Sequence, residues 1–100
     1  MALDNTEYLL TKLSEECNEV GQMAAKTIQF GMEEVYNDGI NQKTNRERLI
    51  DELNDLFGVI QMLNDEAGLN FLPDPEAIRA KGDKIRKYRG YSVGLGKVVL

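Results

Sequence analysis

Two runs of apolar residues at steps of three and four constrain this chain more than any other feature. From Asn5 to about Gly31, Leu9, Leu10, Leu13, Cys17, Val20, Ala24 and Ile28 recur at helical spacing, and from Thr44 to Gly68, Leu49, Leu53, Leu56, Ile60 and Leu63 do the same. Apolar residues three and four apart form one face of a helix, whereas a half-buried strand needs strict alternation, and no segment sustains that alternation. The expected fold is all-α: a helical bundle of two long antiparallel helices and a shorter third. On the first stripe Leu13, Cys17, Val20 and Ala24 are the expected centre. Gly21 and Gly58 are expected where helices approach closely, because each costs about 1 kcal/mol relative to Ala inside a helix.

Local signals punctuate this pattern. Asn5 or Thr6 is a candidate cap for the first helix. Thr44 and Glu47 have capping-box spacing and open the second. Between them, residues 32–43 carry an Asn37-Asp38-Gly39 turn signal and read as a helical turn followed by a loop. Asp74 and Pro75 suit the N-cap and first position of a third helix, expected to run to about Tyr88 with Ile78 and Ile85 turned to the core. The glycines at 90, 94 and 96 predict an extended tail over 91–100.

One hundred residues suffice for a single domain with a small core, so burial is expected to be completed by association with further copies. Histidine is absent, which excludes Ser-His-Asp and Cys-His nucleophiles and His-based zinc sites. The lone Cys17 excludes an intrachain disulfide. With no basic-then-apolar leader and no long apolar run, the expectation is a soluble, cytoplasmic protein without a membrane partner. The net charge of −5 is unevenly spread. Residues 1–76 hold 5 Lys/Arg against 16 Asp/Glu, and residues 77–100 hold 7 against 1, giving an acidic body of −11 and a basic C-terminal segment of +6. An acidic body repels a phosphate backbone, so nucleic acid is not expected as a partner.

The chemistry-bearing residues lie beside the two stripes. Glu16-Cys17-Asn18-Glu19 and Glu52-Leu53-Asn54-Asp55 each place two carboxylates one turn apart on a helix. Two such helices side by side gather four carboxylates, and an all-oxygen donor set suits Mg²⁺ or Mn²⁺. The bland alternative is a solvated acidic face on which Lys12 and Arg48 pair with Glu16 and Glu52 at i, i+4.

Glu15-Glu16-Cys17-Asn18-Glu19 on one helix and Glu52-Leu53-Asn54-Asp55 on the next resemble the ExxE and ExxD motifs of the MazG-like all-α nucleoside triphosphate pyrophosphohydrolases. The resemblance covers residues 9–90, and the 32 residues between the motifs are more than is usual there. It implies Mg²⁺ (or Mn²⁺) held by Glu16, Glu19, Glu52 and Asp55, with Glu15 and Glu16 in catalysis. It further implies cleavage of an NTP or dNTP between the α- and β-phosphates to a monophosphate and pyrophosphate, in a homodimer or homotetramer with sites in bundles between subunits. Lys84-Ile85-Arg86-Lys87-Tyr88 is similar to that family's basic segment. The cations available to a polyphosphate are Lys81, Lys84, Arg86 and Lys87, with Lys26 two turns beyond Glu19. Asn18, Gln22, Phe30 and Tyr91 are candidates for the base. A phosphoribosyl-ATP pyrophosphohydrolase shares the same metal logic. A non-catalytic helical interaction or regulatory module is the alternative from another class.

Overall fold

The computed structural model describes residues 1–37, 39–40 and 42–100, with Tyr36 and Asn37 described through their backbone. The fold is all-α. Helix α1 spans Asn5–Phe30, α2 spans Asn45–Ala67 and α3 spans Pro75–Gly94. No helix is long and apolar enough to cross a membrane.

Caps set the boundaries. The N-cap of α1 is Asp4, not Asn5 or Thr6: its carboxylate accepts from the Glu7 N–H at 2.7 Å, while Glu7 accepts from the Asp4 N–H at 3.2 Å. Two otherwise orphaned donors are satisfied reciprocally. The expected box at Thr44 and Glu47 caps α2 in the same way. Asp74 caps α3, and Pro75 occupies its first turn, where no N–H is needed.

Helices α1 and α2 form an antiparallel hairpin. Asn5 near the start of α1 donates to Glu66 near the end of α2 at 3.2 Å. At the other end the buried Asn45 side chain donates to the Gly31 carbonyl at 2.8 Å. The connection departs from the expected turn and loop. Val35–Asn37 (β1) and Gln42–Thr44 (β2) pair antiparallel, with Val35 opposite Thr44 and Asn37 opposite Gln42. Three-residue strands are too short to show a period. Of the turn signal between them, Asp38 lies outside the described residues.

The seam between α1 and α2 is rotated from its expected position. It runs through Leu9, Leu13, Glu16, Val20, Met23 and Thr27 on α1, and through Leu49, Glu52, Leu56, Ile60 and Leu63 on α2, all buried or half-buried. Leu9, Met23 and Leu63 are the buried apolar side chains. Cys17 and Leu53, expected inside, are exposed. Gly21 and Gly58 mark no close approach either, since a Cβ on either would meet nothing within 4 Å.

Two corrections concern α3. It is longer than expected, continuing through Gly90 and Tyr91 to Gly94, so only the last residues of 91–100 form a tail. The stop comes at Gly96, whose φ of 73° permits a left-handed cap in which Gly96 N–H bonds to the Val93 carbonyl and Lys97 N–H to the Ser92 carbonyl. Second, α3 shares no packed interface with α1 or α2. Ile78 and Ile85 are therefore exposed, at 61% and 54%. The linker is itself anchored to α2. Asn64 donates to the Phe71 carbonyl at 2.9 Å and accepts from the Phe71 N–H at 2.8 Å, and Pro73 and Pro75 stiffen the chain between Phe71 and α3.

Candidate metal centre

The rotated seam brings the acids together. Glu16 and Glu52 occupy positions where a two-helix seam ordinarily carries apolar side chains, and each follows the preceding seam residue by three positions: Leu13 to Glu16, Leu49 to Glu52. Both carboxylates are half-buried, and one oxygen of each, Oε2, is shut off from solvent with no hydrogen-bond partner. A charged oxygen removed from water without a partner is costly unless a cation or a proton compensates. Asp55, one turn beyond Glu52, completes a triad: one oxygen from each of Glu16, Glu52 and Asp55 lies within 4.8 Å of the others. The described residues hold no other such group of three.

Electrostatics report the same crowding. Burial raises the Glu16 pKa above its ordinary 4.5, and the negative charges of Glu19, Asp55 and Glu15 push it further. Lys12 is the one cation acting against them. Burial likewise raises Glu52, followed by hydrogen bonding with the Glu19 carboxyl and by the charges of Glu19, Asp55 and Glu16. Glu19 is exposed and outside the triad, yet it acts directly on Glu52. Three of the four motif carboxylates thus bring oxygens within 4.8 Å of one another, and the fourth, Glu19, lies beside Glu52.

The cations are arranged differently. Lys12 pairs with Glu15 at 3.1 Å instead of Glu16, an exposed pair one turn apart on α1. Lys26 is exposed seven residues beyond Glu19, about 10 Å along the helix axis. Lys81, Lys84 and Lys87 are exposed on α3 and do not reach the cluster of their own chain; Arg86 pairs with Asp83 at 3.1 Å. Asn18, Gln22, Phe30 and Tyr91 are all exposed.

Two features were missed in the sequence. The seam position of the glutamates was readable in principle, since 9, 13, 16, 20, 23 and 27 fit the helical period as well as the apolar set does, but a search for apolar residues passes over Glu16. The Asn64 clamp gives no sequence signal. Comparison of the chain with family models, with curated proteins and with solved structures yields no match.

Proposed function

We propose that the chain is a Mg²⁺-dependent nucleotide pyrophosphohydrolase that cleaves an NTP or dNTP between the α- and β-phosphates, releasing a nucleoside monophosphate and pyrophosphate. One observation carries this reading: Glu16 and Glu52 face each other across the seam with buried, unpartnered oxygens, and Asp55 completes an all-oxygen triad. That donor set fits a hard divalent cation, Mg²⁺ or Mn²⁺, and the motif resemblance supplies the reaction.

In this reading Glu16, Glu52 and Asp55 hold the metal and Glu19 closes the rim. When bound, the ion offsets the charge of the polyphosphate and acidifies a coordinated water. Glu15, paired with Lys12 at 3.1 Å, would be the neighbouring acid that orients a water. Lys26 lies on the Glu19 flank of α1 and meets phosphate oxygens there. Lys81, Lys84 and Lys87 take part only where α3 of another copy approaches, and the homodimer or homotetramer of the resemblance belongs to this reading.

A panel of NTPs and dNTPs assayed for pyrophosphate release with Mg²⁺ tests it. Turnover of at least one member is expected, and Glu16→Gln, Glu19→Gln, Glu52→Gln and Asp55→Asn should each abolish it while helicity persists. No pyrophosphate from any member would overturn the activity and favour the interaction module, whose basis is the exposed apolar face of α3.

A further inference from the structure

The chain exposes far more surface than a finished monomer of its size. Its accessible area is 7949 Å², against about 5,700 Å² from the surface-to-mass scaling of folded monomers. The radius of gyration, 17.4 Å, compares with about 13 Å for a compact 100-residue domain. The excess of about 2,200 Å² lies within the range of about 1,000–2,500 Å² that an obligate homodimer buries per partner.

The excess has an address. In an antiparallel helix pair, residues displaced in the same sense from each seam lie on the same flank. Leu10, Cys17 and Ile28 each follow a seam residue of α1 by one position, and Ile50, Leu53 and Phe57 each follow a seam residue of α2 by one. These six therefore form one apolar flank. All are exposed, Leu10 at 48%, Ile50 at 50% and Phe57 at 54%. Glu19 and Asp55 follow their seam glutamates by three positions and lie on the opposite flank. Whatever covers the apolar flank leaves the carboxylates open.

The second unpartnered surface is on α3, where Ile78, Ile85 and Tyr88, with Leu95 at the C-cap, recur at helical spacing and are all exposed. At 20 residues the helix is about 30 Å long, close to the length of α2. It shares no packed interface with its own hairpin, and the linker before it is anchored to α2 through Asn64 and Phe71. Charge selects its partner. Residues 77–100 carry +6 and residues 1–76 carry −11, so arm against body brings opposite signs together, and body against body brings like signs.

We propose that α3 is an exchanged arm: its apolar stripe lies on the Leu10–Phe57 flank of a second copy of this chain, and that copy's α3 returns the contact in a two-fold dimer. The proposal rests on the reading that the chain self-associates and adds which surfaces meet. It does not depend on metal or turnover, so failure of the activity and failure of the exchange are distinguishable.

The test uses Cys17, which lies on the flank and is the only cysteine. Full-length chains with Cys17→Ser and one of Ile78→Cys, Ile85→Cys or Tyr88→Cys are co-expressed with a differently tagged wild-type chain, oxidised, and run without reductant beside light scattering. Expected are a dimer mass and a disulfide joining the two tags for at least one position, with wild-type alone uncross-linked. Circular dichroism confirms that each variant is helical. Three results would each overturn the exchange: a stable monomer at micromolar concentration, a Cys17–Cys17 dimer from wild-type alone, or a dimer mass with no mixed disulfide at any position. A chain bearing both Cys17 and Ile85→Cys that oxidises to a monomer would overturn it also, since the arm would then lie on its own hairpin.

Discussion

Glu52→Gln isolates what the seam carboxylates are for. The substitution keeps shape and removes charge from a half-buried group whose Oε2 has no hydrogen-bond partner and whose neighbours are Glu19, Asp55 and Glu16. Without metal, melting temperature should hold or rise, because a charge leaves a like-charged cluster. With Mg²⁺ the order should invert. A cation bound only by the folded state stabilises by about 2.7 kcal/mol when it is present at about a hundredfold over Kd. For a domain of this size that is about 10–20 °C, at roughly 4–8 °C per kcal/mol. Glu52 supplies one of the three triad oxygens. Loss of an outer partner of a metal site already weakens binding about 10–100-fold, and loss of a ligand should do no less. At the same Mg²⁺ concentration the variant should then gain at most about 0.4–1.4 kcal/mol. Thermal denaturation of both proteins in EDTA and across a Mg²⁺ titration reads both limbs. A wild-type melting temperature indifferent to Mg²⁺ and Mn²⁺, or a variant with the full wild-type shift, would refute the assignment.

Particular side chains set three further outcomes. In EDTA, Glu16 and Glu52 have folded-state pKa values above 4.5, so their contribution is full below 4.5 and is lost as pH rises through the raised values. Glu47, lowered by its cap bonds to Thr44, acts oppositely, losing its contribution as pH falls below 4.5. Melting across pH 4–7 should therefore show stability falling on the side above 4.5, and Glu52→Gln should flatten that limb. Asn64→Ala removes both hydrogen bonds to Phe71 and should cost about 1–2 kcal/mol, each exposed bond being worth about 0.5–1; chemical denaturation measures it, and no loss would mean that the clamp does not set the linker. Gly58→Ala, at a position where a Cβ meets nothing within 4 Å, should stabilise by up to about 1 kcal/mol, read as a raised melting temperature.

What the sequence made legible was whatever depends on a few neighbouring residues. Thr44 with Glu47 and Asp74 with Pro75 act through bonds spanning two or three positions, and both caps stand where expected. Asp4 with Glu7 was as readable, being the same box one residue earlier than the expected Asn5. Glycine content alone does not locate the end of α3, because glycine position decides it: Gly90 and Gly94 are carried within the helix, and Gly96, with positive φ, ends it.

The larger errors share one cause, which is that helical period fixes a face and not its partner. Each long helix carries enough apolar residues for more than one face, so the stripe taken as buried merged two surfaces, a seam through Glu16 and Glu52 and an adjoining flank through Cys17 and Leu53. A chain with one partner for each helix would have no use for the second surface, and its exposed Leu10, Phe57 and Ile28 would then be a liability for aggregation. The same holds for Ile78 and Ile85, set at core spacing on a helix that shares no packed interface with the hairpin. Surplus apolar periodicity on all three helices and a glutamate pair inside the one seam that is closed are thus connected. Acids occupying a seam forgo the apolar burial that would stabilise the hairpin alone, and in the proposed exchange the flank would supply that burial once α3 of a second copy covered it.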